Sequence, residues 1–177
     1  MNIYAGLEIL RKRKTPVFNV AEIARALNVK RGHAKTYAKR MTDKKLLFRL
    51  AKGLYSTTED PVYYGSYIIP NSYISFNSAL YLHGIINQIP AVVQIVVPKR
   101  TRRHVDGIEF ITLPVDMVFG FEKKPYAGHE ISIADVEKAI IDIIYKQGAV
   151  PGNILKKADR AKLISYAKKT RVKLNRG

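Results

Sequence analysis

Cysteine and tryptophan are absent from this 177-residue chain. Without cysteine there is no disulfide framework, no thiolate metal site and no thiol redox chemistry to consider. Acidic side chains are scarce, 14 against 31 Lys and Arg, which leaves a formal net charge of +17. Long apolar runs are missing as well. None approaches the roughly 18 to 20 residues needed to span a bilayer, and the N-terminus has no signal-peptide pattern. Neither basic end pairs an aromatic face with a cationic one, as a helix lying in a membrane interface would. A soluble cytoplasmic protein with no membrane role is the expectation.

Catalytic constellations are also lacking. Ser66 after Gly65 begins like a nucleotidyltransferase loop, but no Asp-x-Asp follows to hold magnesium, so phosphoryl transfer fails on its essential ligands. His33, His83, His104 and His129 show no metal-ligand spacing. No Ser/His/Asp set and no glycine-rich phosphate loop with its lysine is present. His83, before a helix-stopping glycine, reads as a cap or packing residue. Lys138 and Asp142 stand four apart on one helix and read as a structural ion pair. Enzymatic activity, a metal and a cofactor are therefore not expected.

What the chain does have is cationic ends. The excess of Lys and Arg lies before residue 60 and after residue 148, while 61–147 is balanced. A surplus of this size exceeds what solubility requires and favours a polyanion as partner. The 47% apolar content suffices for real cores, and the length suits one or two domains.

The N-terminal excess sits on a recognisable pattern. Asn19 followed three residues on by Glu22 is a capping box, and Val20, Ile23, Ala24 and Leu27 form the apolar stripe of a helix ending near Asn28. Val29 to Gly32 allows a sharp turn. Ala34, Tyr37, Ala38 and Met41 then begin a second stripe. A helix from about Ile3 to Lys14, with Tyr4, Leu7, Ile9 and Leu10 apolar, completes a three-helix core. Strand-like runs at Leu46 to Leu50 and Leu54 to Thr57, joined by Ala51, Lys52 and Gly53, make a short hairpin. Together these predict a winged helix-turn-helix over residues 1–60.

With that second stripe turned inward, the helical period puts Gly32, Lys35, Thr36 and Lys39 on the opposite arc, flanked by His33 and Arg40. Such a helix lies in the DNA major groove, so Lys35, Thr36 and Lys39 are the candidate base contacts. Arg31, Arg40, Arg49 and Lys52 are the candidate backbone contacts. For the helix alone, a merely solvated charged face competes with this reading; the hairpin favours DNA.

Glu59, Asp60 and Pro61 mark a boundary, and residues 61–177 read as a small mixed α+β domain with a helical C-terminus and a basic tail. Val62 to Pro70, rich in tyrosine, reads as a linker or strand. A helix near Phe76 to His83, strands at Val92 to Val97 and Ile108 to Leu113, and a short one around Glu130 to Ser132 follow. A helix from about Ala134 to Gln147 carries Val136, Ala139, Ile140, Ile143 and Ile144 inward, with Ser132 and Asp135 fitting its cap. A last helix spans about Arg160 to Lys169. The loop holding Lys99, Arg100, Arg102 and Arg103 is a second basic surface, read either as a nucleic-acid contact or as a solvated hairpin tip. The tail cations from Lys156 to Arg176 carry the same two readings.

The segments SYISFNSALYLHGI (Ser72 to Ile85), VVQIVVPKRTRRHVDGIEFITL (Val92 to Leu113), VFGFE (Val118 to Glu122) and SIADVEKAIIDIIY (Ser132 to Tyr145) resemble the AbiEi-type antitoxins and transcriptional regulators of type IV toxin-antitoxin systems. The order of parts is the same, with a winged helix in front, and the resemblance runs from about Val17 onward. It implies a repressor that binds double-stranded DNA at its own operator and an antitoxin domain opposing a nucleotidyltransferase toxin. A homodimer fits that role. The competing reading, a nonspecific RNA-binding or chromatin-type basic protein, lacks the aromatic strand pattern RNA-reading sheets use.

Overall fold

Asn19 closes a complete capping box. Its side chain accepts hydrogen bonds from the Ala21 and Glu22 amides at 2.9 and 3.0 Å, and the Glu22 carboxylate accepts the Asn19 amide at 2.7 Å. This local chemistry starts α2 (Val20–Leu27), which Asn28 ends in the left-handed conformation. The structure is a computed structural model that describes residues 2–174. Its N-terminal part runs α1 (Ile3–Arg11), β1 (Val17–Asn19), α2, α3 (Arg31–Asp43), β2 (Phe48–Ala51) and β3 (Leu54–Ser56). The three helices enclose Leu7, Leu10, Ile23, Leu27, Ala34, Ala38 and Met41, and Phe18 and Leu47 join them from the sheet side. Burial of each large side chain contributes about 1.5–3 kcal/mol. Gly6 permits the close approach of α1 to α3, since a Cβ there would stand 2.9 Å from Met41 Cε.

Helix α1 and the hairpin turn depart from expectation, and one strand is additional. Helix α1 stops at Arg11 and not at Lys14, and Tyr4 and Ile9 point outward, Tyr4 being 53% exposed. Strand β1 was not foreseen. It pairs antiparallel with β3, Phe18 opposite Tyr55, so the sheet has the order β1-β3-β2. The hairpin turn is Lys52 and Gly53 alone, because Ala51 already pairs with Leu54 across a register shift after Arg49, and Gly53 supplies a φ of +73°.

The remainder is mixed α+β. It runs α4 (Pro61–Gly65), β4 (Tyr73–Ile74), α5 (Phe76–Leu82), β5 (Val93–Val97), β6 (Ile108–Thr112), a 3-10 turn at Val115–Met117, β7 (Phe121–Tyr126), β8 (His129–Ala134), α6 (Val136–Gln147), α7 (Gly152–Leu155) and α8 (Arg160–Thr170). The second sheet has the order β6-β5-β4-β8-β7. Strand β4 is antiparallel to β5 and parallel to β8, and β5 is parallel to β6.

Strand alternation assigns the two faces of this sheet. Gly65 of α4 lies against Ile95 and Ile108, whereas Tyr73 and Ser75 turn to the other side and reach Asp142 of α6. The segment Val62 to Pro70, expected as a linker or strand, instead begins in helix α4, which Asp60 caps, with Tyr63 and Tyr64 buried. Ser132 is a strand residue and caps nothing; Asp135 alone caps α6, accepting the Lys138 amide at 2.8 Å. Helix α6 has no solvent face through most of its length. Residues Glu137 to Ile144 are all buried, because α5, the sheet and α8 surround it.

Val17 and Leu54 belong to the larger core, built on the second sheet, while their neighbours Phe18 and Tyr55 pack with the helical one. The small sheet therefore lines both cores.

Candidate nucleic-acid interface

Helix α3 divides cleanly. Ala34, Ala38 and Met41 are buried, and Arg31, Gly32, His33, Lys35, Thr36, Lys39 and Arg40 are exposed. The arc derived from periodicity is thus the arc that faces water. Arg31, Lys35, Lys39 and Arg40 make it cationic, and the Thr36 hydroxyl, which donates back to the Gly32 carbonyl at 3.4 Å, keeps both lone pairs as acceptors. None of the cations on this arc has an ion-pair partner among the described residues. Among the described residues no side chain caps the helix start at Lys30. Free amides and an unneutralised cationic face at one helix end suit a phosphate-bearing ligand.

The hairpin follows α3 directly. The Leu46 and Leu47 amides bond the Met41 carbonyl, and Leu47 is buried, so the chain turns off the helix under firm restraint. Arg49 and Lys52 project from it, both exposed. Lys30, Lys44 and Lys45 extend the cationic rim at the two ends of α3. Periodicity overlooked them because they sit in turns, outside the helical arc.

The second basic surface is exposed too, at Lys99, Arg100, Arg102 and Arg103, but it is not a hairpin tip. Strands β5 and β6 run parallel, Val93 opposite Ile108 and Val97 opposite Thr112, so the loop 98–107 is a crossover that retraces the full strand length. Its return is anchored by buried Val105 and by Tyr64, whose hydroxyl donates to the Asp106 carbonyl at 3.4 Å. His104 pairs with Asp106 at 3.3 Å in the open. The tail cations are partly neutralised: Lys162 sits 3.0 Å from Asp135 and 3.5 Å from Glu137. Arg176, also among the expected tail contacts, lies outside the described residues.

Arg100 and Thr101 line a cavity of about 570 Å³ together with Lys146 and Gln147 near the end of α6. Glu109 to Thr112 of β6 and the residues Phe76 and Gln94 complete it. Phe76 has a φ of +55°, a conformation that costs a bulky residue on the order of 1–3 kcal/mol. It is held there because Ser75 is tied to Asp142 and the Asn77 amide to Gln94 Oε1 at 3.0 Å.

The ion pair of Lys138 and Asp142 is present and fully buried, a burial the sequence reading did not foresee. Tyr73 Oη accepts from Lys138 Nζ at 2.9 Å, and Ser75 donates to Asp142 at 2.7 Å. Burial pushes the lysine pKa down and the carboxyl pKa up, each against the opposing pull of its partner. Burial, with Asp142 alongside, likewise drives the Tyr73 hydroxyl upward. Gly120 closes the site from above. A Cβ there would meet Lys138 Cβ at 3.0 Å. Neither the Lys138 nor the Asp142 side chain has solvent-exposed surface. His83 serves the fold, its Nε2 lying 2.8 Å from the Ala134 carbonyl.

Among the described residues, no group of three or more His, Asp or Glu is gathered as a metal site would require, and no helix is long and apolar enough to cross a membrane. Neither a protein-family model nor a curated protein matches the chain.

Proposed function

We propose that residues 1–60 form a winged helix-turn-helix that reads duplex DNA, and that the chain is a transcriptional repressor acting at its own operator. The observation that carries this reading is the exposed cationic arc of α3, opposite its buried apolar stripe and next to a hairpin bearing Arg49 and Lys52. In this reading Lys35, Thr36 and Lys39 meet base edges, and Arg31, Arg40, Arg49 and Lys52 meet phosphates. The excess of basic residues supplies the nonspecific attraction. Residues 61–177 form the second domain, and their resemblance to AbiEi-type antitoxins supports a role opposing a nucleotidyltransferase toxin.

Gel-shift titration against the DNA upstream of its own gene tests the proposal. The expected result is preference for that DNA over random duplex, with affinity falling about 10³-fold between about 50 and 200 mM salt if about six phosphates are neutralised. Lys39→Ala is expected to cost about 1–3 kcal/mol on the preferred site and less on random DNA, while Lys52→Ala weakens both alike. Equal binding to random duplex would overturn the repressor reading. Stronger binding to RNA than to duplex DNA would favour the nonspecific alternative.

A further inference from the structure

Strand β6 is the last strand of its sheet on one side, and among the described residues its outer edge has no strand beside it. The Gly107 carbonyl accepts from Val93 and the Leu113 amide donates to Val97, so the odd-numbered residues of β6 direct their backbone groups toward β5. By strand alternation, the amides and carbonyls of Phe110 and Thr112, and the carbonyl of Ile108, face away from the sheet. Phe110 and Thr112 also line the cavity of about 570 Å³, together with Arg100, Thr101, Lys146 and Gln147. The one carboxylate among its described lining residues, Glu109, is engaged by Gln94 Nε2 at 3.1 Å.

An open edge is a template for any extended chain, and cations beside it are a common guard against self-pairing. Here the guard is selective. A second copy approaching through the same edge would bring Lys99, Arg100, Arg102 and Arg103 against their own kind, whereas an acidic segment would be drawn to them. We infer that the groove along the open edge of β6 binds an extended acidic segment of a protein partner, which adds a strand to the sheet with its carboxylates directed at Arg100 and Lys146. This is strand addition, in which backbone hydrogen bonds supply affinity and flanking side chains supply specificity. It stands apart from DNA reading by α3.

The test uses the full chain and a fluorescein-labelled octapeptide alternating valine and glutamate, with binding followed by anisotropy and by amide exchange. The expected result is saturable binding that protects the Phe110 and Thr112 amides. N-methylation of the peptide at one alternate set of residues should weaken binding about tenfold or more, with methylation of the other set having little effect. Arg100→Glu with Lys146→Glu should weaken it by a similar factor, and a valine–lysine octapeptide should not bind. Absence of binding, or equal binding by both methylated peptides, overturns the proposal. It also falls if an RNA or DNA oligonucleotide protects the two amides in place of the peptide, or if they become protected with protein concentration alone, which would make a second copy the occupant.

Discussion

Lys138 is the residue whose replacement distinguishes a charge kept for stability from one that is merely accommodated. Its partner Asp142 and the hydroxyls of Tyr73 and Ser75 leave no buried side-chain nitrogen or oxygen without a partner among the described residues. Lys138→Met strands a buried carboxylate, and we expect it to cost about 3–5 kcal/mol in urea denaturation, whereas Lys138→Met with Asp142→Leu should recover most of that loss. A double variant no more stable than the single one would mean that the pair itself holds the fold. Gly120→Ala probes the same site from the opposite direction. A side chain there has both a φ of +68° and the stem of Lys138 to contend with, so a loss of about 1–3 kcal/mol should appear as a lowered melting temperature. The i,i+4 spacing of Lys138 and Asp142 was readable because it is local. Their burial was not, since it depends on how α6 is surrounded.

At the scale of elements, the best-read helix was α2, because its start signal is a side-chain-to-backbone exchange completed within four residues. Asn19→Ala removes the acceptor of two amides and should cost about 1 kcal/mol, measured by thermal melting, with Asn19→Asp largely neutral. A neutral alanine variant would assign the helix start to tertiary packing instead. Strand β1 escaped notice because three residues carry no period; it exists only through β3, far along the chain. Strands β5 and β6 were placed correctly and paired in the wrong sense. Parallel neighbours ordinarily need a crossover of about a dozen residues or more, so the short connection 98–107 reads naturally as a hairpin. Direction is set instead by the contacts of Val105 and Asp106 with the rest of the fold.

On the scale of the whole molecule, the small β1-β3-β2 sheet lies between two cores, with Val17 and Leu54 in one and Phe18 and Tyr55 in the other. A fragment ending at residue 60 would expose Val17 and Leu54, each worth about 1.5–3 kcal/mol of burial. We expect the amides of Phe18 and Tyr55 to exchange faster in that fragment than in the full chain. Equal protection would show the N-terminal unit to be energetically independent.

The outward arc of α3, its cap-defined neighbour α2 and the excess of positive charge follow from the amino-acid sequence by itself, because helical period, capping and charge are properties of adjacent residues. The tertiary structure alone decided the all-round burial of α6, the parallel pairing that leaves β6 as an open edge, and the sheet shared between two cores. Each of these depends on which distant segments meet, and local sequence chemistry does not encode that.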